Sequence, residues 1–461
     1  MFRNARWFLL GRAVATAVVM LSTFVAACGP APTPPPEATP VPEATRAPAA
    51  TPTPAAPPAE KPELSIIWFA WPPCEALGEL AGQYPGNATV TTNCVPLGQW
   101  HDQIFTDFAA QSGSDLVVGD SQWTGEAVVG GHLVEVTEFM KTRTDIDSFV
   151  PAALSSYGEY PPGSGRYWSA PIMADVQLLI YNRPAFEAAG FEPPESWTQL
   201  LEQAQFFKDS DIIDDGFTWF WCGATGCEDL LPNAVNQVLW SFGGELWDPA
   251  TYTVEGVLNS PENVEALEFL HELYLTGPEG SSNYGYDEVL TGICNGTVAM
   301  TSIWVGFMGA LTSAESCAGT NDLAFAVTPG EVEHYLQLGG MGISVSAYTE
   351  HEEEALNFLE WLESYDTQIN WVQLGGYSAR ADVLASQEFL DAAPWNGLFS
   401  ESYALVRDFW NVPEYNEMQT TEGEYLNLAI AGEMDPEEAL DRVAAEHQRI
   451  LDEAYPEGPP R

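Results

Sequence analysis

From Glu63 onward, short apolar runs alternate with longer amphipathic stretches of helical period. Leu64–Ala70, Leu116–Gly119, Val176–Tyr181, Leu323–Thr328 and Met341–Ser346 are short, apolar and β-prone, and read as buried strands. Between them, Ser196-Trp197-Thr198-Gln199 has the form of a capping box and predicts a helix over Trp197–Lys208. Ser260-Pro261 opens another, with Val264, Leu267, Leu270 and Tyr274 on one face. Asp435-Pro436-Glu437-Glu438 starts a last helix whose apolar stripe is Leu440, Val443, Ala444, His447 and Leu451, which makes His447 a core residue rather than a ligand. Strands interleaved with helices make an α/β protein. In such folds, ligands collect where loops leave the carboxyl ends of strands.

The first residues follow a different pattern. Arg3, Arg6 and Arg12 precede and border an apolar run from Ala13 to Val25, which ends in Val25-Ala26-Ala27-Cys28-Gly29. This is the layout of a lipoprotein signal peptide over residues 1–27. The run is too short and alanine-rich for a membrane span, which needs about 20 strongly apolar residues. Cleavage before Cys28 predicts a lipidated N-terminal cysteine. Thirteen prolines fall between Gly29 and Pro62 with no apolar periodicity, so residues 28–62 read as a stalk. Proline-rich chain extends at about 3.1 Å per residue and would hold a body roughly 100 Å from a membrane surface.

The remaining chain, about 400 residues, is long enough for two lobes. No second linker or repeat separates them, so they must be interwoven. Without the signal arginines, 12 basic residues face 66 acidic ones, a net charge of about −54. Such a body repels phosphate backbones and anionic membrane surfaces, which excludes nucleic acid as a partner. The acidity itself reads as a solvated surface. Beyond Cys28 there are six cysteines, an even number suited to disulfides in an exported protein. Pairing of sequence neighbours, Cys74–Cys94, Cys222–Cys227 and Cys294–Cys317, is the simplest arrangement. No Cys/His spacing suits a zinc site and the histidines are scattered singly, so no metal or cofactor is expected.

Catalytic signatures are lacking. There is no Walker motif, Rossmann glycine fingerprint or His-Glu-x-x-His, and Gly376-Tyr377-Ser378-Ala379-Arg380 lacks the second glycine of a nucleophile elbow. Asp120 and Asp175 both fall near strand ends, but among 66 acids such a pair is expected by chance. Aromatic residues are more informative, with 16 tryptophans in the chain. Trp71, Trp100, Trp123, Trp219 and Trp221 lie in polar or glycine-rich sequence that reads as loop. Flat rings flanked by Asp, Gln and Asn side chains are what a cleft needs to grip sugar rings, with their apolar C–H faces and polar edges.

Three neighbouring motifs carry a family resemblance: Tyr167-Trp168-Ser169-Ala170-Pro171-Ile172-Met173-Ala174-Asp175, then Leu179-Ile180-Tyr181-Asn182-Arg183-Pro184, then Ala189-Gly190-Phe191-Glu192-Pro193-Pro194. Downstream come Phe242-Gly243-Gly244-Glu245-Leu246, Asn295-Gly296-Thr297-Val298-Ala299-Met300 leading to Trp304, Gly339-Gly340-Met341-Gly342 and Gly375-Gly376-Tyr377. In this order they resemble the family 1 extracellular solute-binding proteins, carbohydrate receptors of ABC importers similar to the maltose-binding protein. The resemblance spans roughly residues 63–455.

It implies a two-lobed periplasmic-binding-protein-like fold with interwoven lobes and a hinge. Residues 63–174 and 339–385 would form the first lobe, and 175–338 and 386–461 the second. It also implies a non-enzymatic receptor that hands carbohydrate to ABC transporter transmembrane subunits; with the Cys28 signal and the stalk, the expectation is a monomer anchored at the outer face of the cytoplasmic membrane. Asp120 falls on the loop that contacts sugar hydroxyls, Asp175 on the first hinge crossing, Trp304 on the second-lobe stacking platform and Trp221 near the aromatic-bearing second-lobe loop. Trp71, Trp100, Gln122, Trp123 and Tyr377 complete the expected ligand contacts, and Tyr415 is the one aromatic in the Asn411–Gln419 segment that could add another. Two alternatives stand beside this reading: a polyamine or other cationic solute in the same fold, and a secreted polysaccharide-active enzyme. Glycerol phosphate would want Arg or Lys clusters, of which the chain has few.

Overall fold

The computed structural model describes residues 61–222, 230–408 and 411–459. The signal peptide, Cys28, nearly all of the stalk and Cys227 lie outside the described residues.

In chain order the strands are β1 Glu63–Phe69, β2 Thr89–Val95, β3 Leu116–Gly119, β4 Ser169–Asp175, β5 Gln177–Asn182 and β6 Asp215–Thr218. They continue with β7 Val298–Trp304, β8 Leu323–Val327, β9 Leu336–Gln337, β10 Gly339–Val345 and β11 Val406–Arg407. They form one sheet of order β2-β1-β3-β10-β4, a second of order β6-β7-β5-β8, and a short β11-β9 pair. Each of the five runs read as strands from sequence forms one, to within a residue or two at its ends. Every residue of β4 and of β7 is buried. Strands covered on both faces read as near-continuous apolar runs, which is why these segments lack an alternating pattern.

The chain passes from the first large sheet to the second with very little connecting sequence. Only Val176 separates β4 from β5, while the return from β8 to β10 takes in the short strand β9, from which Leu338 alone separates β10. Gly340 has φ +126°, and a Cβ there would sit 2.2 Å from the Met173 carbonyl oxygen. Glycine is therefore required at the return crossing, where the backbones of β10 and β4 touch.

The helices carry both expected and unexpected detail. Ser196 Oγ accepts from the Gln199 N–H at 3.1 Å, but Gln199 Oε1 accepts from the Glu195 N–H at 2.8 Å rather than from Ser196. The capping box is therefore half formed, with its return bond displaced one residue towards the N-terminus, and the helix runs Trp197–Asp209. Helix Pro261–Leu275 buries Ala266, Leu267, Leu270 and Leu273, leaving Val264 and Tyr274 half-buried. Its core-facing stripe is rotated from the one expected. Helix Pro436–Ala454 buries the whole of its expected stripe, and Asp435 accepts from the Glu437 and Glu438 N–H groups. His447 is fully buried, with Nε2 2.9 Å from the Met418 carbonyl oxygen.

Two disulfides are formed as their sequence spacing predicts. Cys74–Cys94 ties helix Pro72–Ala81 to β2, and Cys294–Cys317 ties the end of helix Tyr286–Cys294 to the segment before β8. The Cys222–Cys227 expectation falls on a residue outside those described.

Candidate functional site

β1, β2 and β3 are parallel, so the chain leaves their carboxyl ends on one edge of the first sheet. Trp71 follows β1 as the N-cap of helix Pro72–Ala81, Trp100 follows β2 at the start of helix Trp100–Ala109, and Asp120 follows β3 as the N-cap of helix Ser121–Val129. Strand register brings the other side to meet them. Gly339 pairs with Asp175 across β10 and β4, while Gln177 pairs with Trp304 across β5 and β7. Asp175, Gly339 and Trp304 therefore meet at the crossing between the sheets, although they lie far apart in sequence.

Between the two sheets lies a cleft lined by residues that follow strands of both. Its wall is a run of aromatic rings in contact. Trp123 and Trp100 have ring centroids 4.2 Å apart, Trp100 and Phe69 4.8 Å, and Phe69 and Trp71 4.5 Å in a stacked arrangement. Trp71 then reaches Phe307 of the second lobe at 5.0 Å, and Phe307 stacks on Tyr286 at 3.5 Å. Trp304 lies against Gly339, where an added Cβ would be 2.2 Å from Trp304 Cζ3. Only glycine lets that ring lie flat on the returning strand. Gly306 plays a similar part, since a Cβ there would meet Trp71 Cζ3 at 2.4 Å and Asp175 Oδ2 at 2.9 Å.

The polar groups of the cleft are carboxylates, amides, a hydroxyl and indole N–H groups. Asp175 is buried; its Oδ1 accepts from the Val176 N–H at 2.8 Å, and the Gly306 N–H lies 3.3 and 3.2 Å from Oδ1 and Oδ2. Burial pushes its carboxyl up to about 8, outweighing the backbone hydrogen bonds that pull it down. Asp120 accepts from the Ser121 N–H at 2.6 Å. Gln122 Oε1 and the indole N–H groups of Trp71, Trp100 and Trp123 are buried with no hydrogen-bonding partner among the described residues. Asn233 and Tyr286 add an amide and a phenol from the second lobe. Among the described residues, no Arg, Lys or His lines the cleft.

Of the residues expected from sequence, Trp71, Trp100, Asp120, Gln122, Trp123, Asp175 and Trp304 line this cleft together. The structure corrects the others. Trp221 is fully buried in the second lobe, edge-on to Phe217, Trp219 and Tyr274. Trp219 is equally buried and donates its indole N–H to Gln177 Oε1 at 2.9 Å. Both follow β6 and are packed into the core, where rings of this size bury a large surface. Tyr377 is also in the core, its hydroxyl accepting from Trp395 Nε1 at 2.9 Å, and Tyr415 is fully buried. Trp100 and Trp123 lie on helices rather than loops. Sequence reasoning missed Phe69, Tyr286, Phe307 and Asn233. Phe69 is hidden in an apolar strand run, and Phe307, three residues after Trp304, carried a proximity signal that was legible.

Residues 75–369 match the family described as bacterial extracellular solute-binding protein. The probable amino-acid ABC transporter periplasmic-binding protein y4oP of Sinorhizobium fredii (strain NBRC 101917 / NGR234) is 22% identical, the match covering 66% of this chain and 68% of that protein. The sn-glycerol-3-phosphate-binding periplasmic protein UgpB of Escherichia coli O1:K1 / APEC is 22% identical, over 67% of this chain and 72% of that one. Among solved structures, maltose-bound MalE3 of T. maritima superposes with a TM-score of 0.74 at 23% identity, covering 84% of this chain and all of that one.

Proposed function

As a member of the bacterial extracellular solute-binding protein family, the chain is, we propose, a receptor that captures a neutral carbohydrate between its two lobes and delivers it to the transmembrane subunits of an ABC transporter. The observation that carries this reading is the cleft lining, a continuous aromatic wall beside amides, indole N–H groups and two carboxyls, with no cation among the described residues. Sugar rings stack on such walls through their C–H faces and exchange hydrogen bonds through their hydroxyls.

The chemistry of the relatives' named ligands can be weighed against the same lining. A phosphate or an amino-acid carboxylate needs a cationic or charge-assisted donor. This cleft would instead set it beside Asp120 and Asp175. A polyamine needs carboxylates to dominate, but Gln122, Asn233, the Tyr286 hydroxyl and three indole N–H groups outnumber the two carboxyls. With its carboxyl raised to about 8, Asp175 carries little charge near neutrality. Maltose, named for the T. maritima structure, has the chemistry the lining suits.

A thermal-shift screen of mono- and oligosaccharides, spermidine, glycerol 3-phosphate and amino acids tests the reading. A glycan at 100 times its dissociation constant is expected to stabilise the protein by about 2.7 kcal/mol. Stabilisation by spermidine or glycerol 3-phosphate and by no glycan overturns it, as does cleavage of a glycan.

The attachment rests on Val25-Ala26-Ala27-Cys28 and the proline-rich stalk that follows. Lipidated Cys28 would hold the receptor at the outer face of the cytoplasmic membrane while the stalk lets the body reach the permease. Cys28→Ser is expected to move the protein from the membrane to the soluble fraction with its ligand affinity unchanged. Wild-type protein found wholly soluble, with an unmodified Cys28, counts against the anchor.

A further inference from the structure

The aromatic wall of the cleft is assembled from two stretches of chain that a disulfide joins. Trp71 is the N-cap of helix Pro72–Ala81, and Cys74 stands one turn further on, its N–H donating to the Trp71 carbonyl oxygen at 3.0 Å. Cys94 is the next-to-last residue of β2, and Trp100 opens helix Trp100–Ala109 shortly after it. Cys74–Cys94 therefore ties the segment bearing Trp71 to the segment bearing Trp100. Phe69 lies between those two rings, its centroid 4.5 Å from Trp71 and 4.8 Å from Trp100. Trp68, opposite Cys94 in the register of β1 and β2, is edge-on to Trp71 with centroids 5.4 Å apart.

Little else holds β2 in place. It is the edge strand of its sheet, paired with β1 alone among the described residues, and of its own residues only Val90 is buried. A strand with one ladder and so little apolar burial gains little from packing. Its other tie is a seam with helix Pro72–Ala81. A Cβ at Gly78 would sit 2.5 Å from Thr92 Oγ1, so the helix lies directly on the strand there. From Cys74 to Gly78 a helix rises about 6 Å, and from Thr92 to Cys94 a strand rises about 6.6 Å. The two contacts thus fall in register along an antiparallel seam, and the disulfide closes the end of it nearest the cleft.

We infer that Cys74 and Cys94 are positioning residues for ligand binding, their bond fixing the spacing of Trp71 and Trp100 so that the wall is set before a ligand arrives. The identity of the ligand rests on the carbohydrate reading above; the setting of the wall does not. Without the bond, the ligand itself has to order the two rings, and affinity falls by that cost. Cys294–Cys317 supplies the control. The sequence separations are 20 residues for Cys74–Cys94 and 23 for Cys294–Cys317, so the chain-entropy model gives the two bonds nearly equal stabilisation. Cys294 ends its helix roughly 12 Å along the axis from Tyr286, the residue of that helix that lines the cleft. Cys317 precedes β8, whose first residue pairs with Asn182 at the end of β5 remote from the crossing.

The full-length protein and two double variants, Cys74→Ala/Cys94→Ala and Cys294→Ala/Cys317→Ala, provide the test. Urea denaturation should show similar losses of stability in the two variants. Calorimetric titration with maltose, cellobiose and xylobiose, well below either variant's melting temperature, should show affinity for whichever sugar binds reduced roughly two- to tenfold in Cys74→Ala/Cys94→Ala and unchanged in the other. Hydrogen exchange without sugar should show protection lost over Trp71–Cys74 and Val95–Trp100 in the first variant alone. If that variant does not fold, the Cys294→Ala/Cys317→Ala protein, reduced in its native state, supplies the opened Cys74–Cys94 bond instead. Unchanged affinity in the first variant, or equal losses in both, overturns the positioning role and leaves the carbohydrate reading standing. If none of the three sugars binds the wild type, that result counts against the carbohydrate reading, and exchange decides the positioning role by itself: unchanged protection over both segments overturns it.

Discussion

Trp304→Ala is expected to weaken binding of a neutral glycan by about 1–3 kcal/mol, roughly five- to 150-fold. The ring ends β7 at the crossing between the sheets, lies flat on Gly339 and faces the cleft. Truncating it removes apolar contact with the sugar face and leaves the strand pairing of β5 and β7 in place. Trp304→Phe should recover part of the loss by keeping a smaller ring. Gly339→Val should reproduce the loss with Trp304 present, because its Cβ, 2.2 Å from Cζ3, can be accommodated only by moving a rigid ring. A neutral ligand held by stacking and hydrogen bonds changes affinity little between low and high salt, whereas a polycation among carboxylates loses it steeply as its charge is screened. Titration calorimetry of wild type and the three variants at two salt concentrations, with circular dichroism to check the fold, reads all of this. Wild-type affinity retained in Trp304→Ala removes the ring from the site.

Folding stability is expected to fall as pH rises from about 6.5 to about 8. Asp175 and Glu363 are both buried, and burial pushes both carboxyls up to about 8. Glu363 has no hydrogen-bonding partner for either carboxylate oxygen among the described residues. Its nearest cation, Arg380, bonds the Glu363 backbone carbonyl at 2.9 Å and directs the rest of its guanidinium to Asp382 at 3.0 and 2.8 Å.

Both groups release their protons near pH 4 in the unfolded chain. Between about 4 and 8 the folded state therefore holds protons that the unfolded state has lost, and raising the pH favours unfolding. His447 works in the opposite direction below its ordinary value of 6.5, because burial lowers it to about 4 and the unfolded chain then binds the proton. The decline should thus be shallow below about pH 6.5 and steeper from there to about 8. Glu363→Gln, which cannot ionise, should be more stable than wild type at pH 8.5 and flatten the slope. Urea denaturation at pH 6.5 and 8.5 measures both proteins. Equal wild-type stability at the two values, or an unchanged slope in Glu363→Gln, contradicts the assignment.

Glu363 was invisible in the sequence, one more acid at the end of a helix with three glutamates in its first turn. Nothing local distinguishes a carboxylate in water from one enclosed by the packing of Arg380 and its neighbours. The tryptophans teach the same lesson in both directions. Trp71, Trp100 and Trp123 resemble Trp219 and Trp221 in their polar or glycine-rich surroundings. The first three line the cleft, while the last two are sealed in the second lobe. Composition around a ring does not say what will cover it.

What the amino-acid sequence determined by itself is whatever neighbouring residues decide. The five strand runs, the Asp435 cap and its apolar stripe, two of the near-neighbour disulfides and the ordered motifs of the family are all set by side-chain periodicity, backbone hydrogen bonding and short spacings. Only the tertiary structure decided which aromatics share a wall, because the pairings of Gly339 with Asp175 and of Gln177 with Trp304 join segments distant in the chain. A side chain's exposure depends on what such long-range pairing packs against it, and no local pattern carries that information.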